Sequence, residues 1–188
     1  MLCDRTAKFD LAVRLRAEGV ALGELFSFLS GLYFRGKLAY ARHFSHPPVG
    51  LAGVWVITPN RGLLPADLTI SLDQLRAFGR LDIDEENPRY RRPVARDARR
   101  IADQIDHDGE VVLLGSIATG KYIGVLHGQL GSRLRYPAEF VGRGDMSRGG
   151  LMLQCVRERR ELNYLTVAET TPRRGTRPPK LLPRCQFA

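Results

Sequence analysis

Cysteine is scarce. Cys3, Cys155 and Cys185 are the whole supply in 188 residues, far apart and with no CxxC or Cys/His grouping. A set so sparse and odd excludes a disulfide framework and a structural zinc site. Cys155, inside the apolar run 151–156, reads as a small buried hydrophobe. Long apolar runs are missing too, and none approaches the roughly 18 to 20 residues that cross a bilayer, so no membrane partner is expected. Near the N-terminus, MLCDRTAKFD carries an acid where a secretory signal would be basic and then apolar, which points to a cytoplasmic protein. Catalytic signatures are absent as well: there is no Ser/His/Asp order, nucleophile elbow or His-Glu-x-x-His. His43 and His46 stand at i, i+3 without a third ligand, and His107 and His127 are isolated. Neither a metal nor a cofactor is called for.

Acid is missing from one place in particular. Between residues 171 and 188 five basic residues (Arg173, Arg174, Arg177, Lys180 and Arg184) meet no Asp or Glu. They account for five of the formal +9, which leaves +4 for the first 170 residues. A basic, Pro-rich tail of this kind holds nucleic acid by phosphate attraction, docks on a protein partner, or is a solvated extension. What is present otherwise is ordinary for a globular chain: 44% hydrophobic and 26% charged residues, in a length that suits one domain with a sizeable core.

Hydrophobic spacing predicts helix over 8–45, interrupted at Gly19 and Gly31 and stopped by Pro47-Pro48. A β-branched run over 50–58 reads as a buried strand, Pro59-Asn-Arg-Gly62 as a turn and 63–67 as a loop. Ser71 caps a short helix to Phe78. Residues 79–92 read as loop, after which Pro93 fits the first turn of a helix ending near Ile105. A second buried strand covers 110–115 and a helix 121–130, which Gly131 ends. A short strand over 133–137, a Gly-rich loop, a helix over 147–159 and a strand over 161–167 complete the pattern. Alternating strands and helices predict an α/β domain of three layers, a mainly parallel sheet with helices on both faces. The organisation expected is an N-terminal helical segment (1–30), the α/β domain (31–168) and the basic tail (169–188). Ligands of such sheets bind beyond the C-terminal strand ends, where the loops after Ile57 and Leu114 would open together.

The first candidate site is Gly115-Ser-Ile-Ala-Thr-Gly-Lys121, a G-x-x-x-x-G-K turn from strand to helix. Gly115 and Gly120 let backbone approach an anion, Thr119 can cap the helix, and Ser116 and Lys121 add donors. Tyr122 stands where a P-loop needs a magnesium-binding hydroxyl, so the turn suits a phosphate or base without magnesium rather than an NTPase. The alternative is a structural turn whose glycines only solve backbone geometry. The second is Val141-Gly-Arg-Gly-Asp-Met-Ser-Arg-Gly-Gly150. Arg143 and Arg148 flank Asp145 there, and Asp145 can serve as a general base or meet a base edge. Asp145 or Ser147 as a plain helix N-cap is the competing reading. The third is Tyr33 with Lys37 one helical turn on, a pair able to stack on and anchor a nucleotide or simply to pack an amphipathic helix.

Taken in order, Leu32-Tyr-Phe-Arg-Gly-Lys-Leu-Ala-Tyr-Ala41, Trp55-Val-Ile-Thr-Pro-Asn-Arg-Gly-Leu-Leu64 and Val112-Leu-Leu-Gly-Ser116 with Lys121-Tyr-Ile123 resemble a group of uncharacterised bacterial α/β domains. These are distantly similar to the core domain of archaeosine synthase and to the peroxide-stress DNA-binding proteins. Similarity covers about 30–155 and implies a cleft connected with nucleobases or nucleic acid, to which Asn60 of the first loop would contribute. Pro59-Asn60 stands where the group has Ala-Lys, so no lysine role carries over to that loop. The function expected is binding of a nucleobase or nucleotide, with action on a modified base in nucleic acid as its extension. The alternative is a non-catalytic adaptor for nucleic acid or protein, or a subunit of a larger assembly.

Overall fold

The structure, a computed structural model, describes residues 2–4, 6–117 and 120–167. Thr119 and the basic tail at 169–188 lie outside those residues. Helix α1 (Asp10–Ala17) leads through β1 (Val20–Ala21) into α2 (Leu22–Phe44), which bends at Gly31. Gly31 takes φ 60°, ψ −140°, a conformation that costs glycine little and other residues a good deal. The hairpin of β2 (Trp55–Thr58) and β3 (Gly62–Pro65) follows, then β4 (Thr69–Ile70), which pairs with β1. Ser71 caps α3 (Leu72–Phe78) as expected, in a reciprocal capping box with Gln74. Helix α4 (Pro88–Gln104) starts earlier than the sequence predicts. Asn87 caps it and Pro88 begins it, so Pro93 falls inside the helix rather than in its first turn. Strand β5 (Val111–Val112), α5 (Gly120–Leu130), β6 (Leu134–Pro137), α6 (Asp145–Glu158) and β7 (Tyr164–Thr166) complete the described chain.

The expected three-layer, mainly parallel sheet with helices on both faces is not what forms. More than half of the described residues are helical, and the strands make sheets of two or three. The only parallel pair among the described residues is β5 with β6, connected through α5. Two causes are visible. Gly62, at φ 75°, turns the chain back so that Leu63 and Leu64 pair antiparallel with Ile57 and Val56 instead of leading to a helix. The apolar run at 110–115 pairs only through Val111 and Val112, plus one bond from Leu113 N–H to the Arg135 carbonyl (2.8 Å). Apolar β-branched runs bounded by Gly and Pro read alike whether their strands join one sheet or several.

Three apolar clusters hold the elements together. Tyr90, Val94, Ala98 and Ile101 of α4 pack on Val125, Leu126 and Leu130 of α5 and on Leu134 and Tyr136 of β6. Leu11 and Leu15 of α1, Leu22 and Leu25 of α2, Ile70 and Leu75 form the second. The third joins Tyr40 of α2 to Leu151, Met152 and Cys155 of α6, with Phe140 and Leu162. Cys155 is buried, as the sequence suggests. Each fully buried Leu or Met in these clusters contributes about 1.5–3 kcal/mol by leaving water.

Candidate functional site

Glycines bring the site together. A Cβ on Gly36 would lie 2.7 Å from the Gly149 carbonyl oxygen, and one on Gly149 would lie 2.9 Å from the Leu32 oxygen and the Tyr33 Cα. Helices α2 and α6 therefore cross backbone against backbone, with no side chain between them. Tyr33, Gly36 and Lys37 share one face of α2, so the crossing sets Tyr33 and Lys37 beside the first turn of α6, which carries Asp145 and Arg148.

Lys37 Nζ sits 3.9 Å from the centroid of the Tyr33 ring. No carboxylate pairs with it among the described residues, so the ring face is its main partner. Burial lowers the Lys37 pKa to about 8, the Arg148 charge acting in the same direction and Asp145 against it. The Tyr33 hydroxyl donates to the Leu114 carbonyl (3.3 Å), tying α2 to the turn after β5. Burial raises its pKa, and that of Tyr122, where the Asp145 charge adds to the effect. Arg148 is buried and donates twice to the Phe140 carbonyl, from Nε (3.2 Å) and Nη2 (3.0 Å), while Nη1 lies 3.6 Å from Asp145 Oδ1. The Asp145 side chain is 67% exposed, so the cluster opens to solvent at the carboxylate. Arg143 braces the approach, donating to the Glu139 carbonyl (3.0 Å) and to Ser147 Oγ (3.2 Å). The cap reading for Asp145 and Ser147 does not hold: Gly144 is the N-cap of α6, with Asp145 following in the first turn, where its charge suits the helix dipole.

Within the Gly115–Lys121 segment the described residues, 115–117 and 120–121, do not form the open anion cradle that the spacing suggests. Gly115 is buried, and a Cβ there would crowd the Leu113 side chain at 3.0 Å and lie in ordinary contact with the Tyr122 ring at 3.6 Å. Ser116 is half-buried in the same turn. At Gly120 a side chain would collide with the Glu85 carboxylate, which also approaches Gly124. A protein carboxylate thus lies against the first turn of α5, where a bound anion would otherwise sit. The Lys121 carbonyl accepts from the Tyr90 hydroxyl (2.8 Å), while its side chain is exposed.

Asn60 does not join the cluster. Its amide donates to the Ala77 carbonyl (2.8 Å), tying the hairpin turn to α3. The turn is locked internally, with buried Thr58 Oγ1 donating to the Gly62 carbonyl (2.8 Å) and accepting from Arg61 N–H (3.2 Å). The loops after Ile57 and Leu114 therefore do not share a sheet edge. Gly36, Gly149 and Glu85 are what sequence reasoning missed. For the two glycines a signal existed, since glycine inside a helical pattern is destabilising unless packing requires it.

Among the described residues no group of three acidic, His or Cys side chains could hold a metal. Two open clefts lie away from the cluster. One adjoins Arg16, Ser71 and Arg76, and the other, of about 710 Å³, is lined by Leu2, Phe26, Leu29, Leu75 and Phe78. No helix among the described residues is long and apolar enough to cross a membrane.

No family model, curated protein or solved structure matches this chain. Geometry alone carries the functional reading.

Proposed function

We propose that the protein binds a nucleobase or nucleotide at the α2–α6 crossing and holds nucleic acid along α4. The observation that supports this most directly is Lys37, a lysine desolvated against Tyr33 with no carboxylate partner among the described residues. A half-buried charge without a carboxylate partner is costly, and such charges are commonest where a ligand uses them. Because Lys37 occupies one face of Tyr33, stacking falls to Tyr122, with Lys37 and Arg148 supplying positive charge. Asp145, exposed at the mouth, accepts from the N–H edge of a base.

Polymer binding draws on α4. Arg89, Arg91, Arg92, Arg96, Arg99 and Arg100 are exposed on its outward side, whereas Tyr90, Val94, Asp97 and Ile101 face the core. Arg89, Arg92, Arg96 and Arg99 follow one stripe at three- and four-residue steps. Only Arg96 has an ion-pair partner among the described residues, Asp97. The stripe also favours a second reading, an adaptor that holds nucleic acid without acting on it.

A thermal-shift screen of nucleosides, deazapurines and nucleotides tests the leading reading, since a ligand of the native state must raise its melting point. A hit should disappear in Asp145→Asn and Lys37→Met without any fall in the unliganded melting point. If no member of the panel shifts the protein and nucleic acid still binds, the adaptor reading stands instead.

A further inference from the structure

We propose that Lys37 forms an imine with the aldehyde of a sugar phosphate, the open-chain ribose or deoxyribose phosphate left when a nucleotide loses its base. The choice of a sugar phosphate rests on the nucleotide reading above; the imine step rests on the placement of the amine.

Three features set Lys37 apart from an ordinary surface lysine. Its nitrogen is parked on the Tyr33 ring rather than on a carboxylate, so no ion pair has to break before it attacks. The helix carrying it is held against α6 by the Gly36–Gly149 contact, which fixes the Lys37 backbone relative to Asp145 and Arg148. Asp145 stands at the mouth and Arg148 behind it, giving a proton carrier and a fixed cation. Arg148 and nearby Arg143 also favour a carbonyl compound that bears negative charge. Burial leaves part of the Lys37 population as free amine at neutral pH, the nucleophilic form.

The step balances without an oxidant or reductant. The Lys37 lone pair adds to the aldehyde carbon while the carbonyl π electrons move to oxygen. The Asp145 carboxylate takes a proton from the new ammonium, and the alkoxide takes up through solvent the proton that the Lys37 ammonium released on becoming free amine, which gives a neutral carbinolamine. Asp145 returns its proton to that hydroxyl, which leaves as water, and the nitrogen lone pair closes the C=N bond. Aldehyde and protonated amine become iminium and one water; hydrolysis is the same path reversed.

Reductive trapping on the full chain tests it. The protein is incubated with 2-deoxyribose 5-phosphate and cyanoborohydride at pH 7.5, and adducts are mapped by peptide mass spectrometry. The chain has four lysines (Lys8, Lys37, Lys121 and Lys180), so the map is simple. An amine titrating near 8 holds roughly a hundredfold more free base at this pH than an ordinary lysine, against which its weaker basicity costs part of the gain. The adduct should therefore form at Lys37 about tenfold faster than at the other lysines. Unphosphorylated 2-deoxyribose should react more slowly. Lys37→Arg, which keeps the cation, should lose that adduct, and Asp145→Asn should slow its formation with the melting point unchanged. Label spread evenly over the lysines, or confined to the N-terminal amine, overturns the proposal. Nucleoside binding without a Lys37 adduct overturns the imine step and leaves the nucleotide reading intact. A Lys37 adduct without nucleoside binding keeps the imine step and removes the base site.

Discussion

Lys37 carries its proton to about pH 10.5 in an unfolded chain and gives it up near pH 8 in the fold. Between those values the unfolded chain holds more protons, so stability rises with pH, by at most about 3 kcal/mol in all. The tyrosines act in the opposite sense. Tyr33, Tyr40, Tyr90, Tyr122 and Tyr164 all have pKa values raised above 10, chiefly by burial. Above pH 10 the unfolded chain loses tyrosine protons that the fold keeps, and stability falls. Denaturant midpoints measured from pH 7 to 11 should climb between 8 and 10 and then decline. Lys37→Met should abolish the climb and stabilise the protein at pH 7 by about 1–3 kcal/mol, since it removes a desolvated charge. A flat midpoint in the wild type between pH 8 and 10 would show that the amine is solvated. Gly62 supplies a second residue-scale case. Its φ of 75° and the crowding of a Cβ against Asp97 and the Pro93 carbonyl leave no room for a side chain. Asp97 accepts from Leu63 N–H (3.1 Å), so displacing it also breaks the tie between α4 and the hairpin. Gly62→Ala should cost about 2–4 kcal/mol in equilibrium unfolding.

Elements meet most closely where α2 crosses α6. Gly36→Ala or Gly149→Ala forces a Cβ into the opposing backbone, and neither helix can yield without moving the cluster. Each change should cost about 1–3 kcal/mol and open the Lys37 amine to water by parting α2 from α6. The second effect is read separately, as a return of the Lys37 titration, followed by NMR of its Cε, toward that of an ordinary lysine. This crossing also shows how much the sequence tells. Helical spacing finds α1 and α2, the Ser71 cap finds α3, the turn before it and Gly131 after it bound α5, and the one-turn spacing of Tyr33 and Lys37 is correctly read as a shared face. Cys155 and the Gly31 break are legible for the same local reasons. Sheet order is not, because strands of two to four residues carry no record of which neighbour they pair with. The Gly115–Lys121 turn illustrates the other limit. Its glycines are visible, but Glu85 lies 35 residues earlier, and only the fold brings its carboxylate to Gly120.

At the scale of the molecule, the exposed arginines of α4 form a cationic face about 17 Å long from Arg89 to Arg100. Nucleic-acid affinity measured against salt should give a steep slope. Changing Arg89, Arg92, Arg99 and Arg100 to Gln should reduce that slope by about 3, the counterions no longer released. A slope unaltered by these four changes would move polymer binding off α4. The same changes should leave the melting point nearly as it was, because none of the four side chains is buried. The longest-range links join α2 to β7 and to α6. Tyr164 donates to Glu161 (2.7 Å), so Tyr40 must donate to Tyr164 (2.7 Å) while it accepts from Leu162 N–H (2.8 Å). Tyr40 and Tyr164 are 124 positions apart in the chain, and the α2–α6 crossing closes a loop nearly as large. Contacts this distant form late, after α4, α5 and the β5–β6 pair can already have condensed. Lys37 is then sheltered only when α6 docks, which makes its amine a clock for folding. Pulses of an amine-reactive reagent during refolding should mark Lys37 at the rate of a free lysine until that docking event, and much more slowly afterwards.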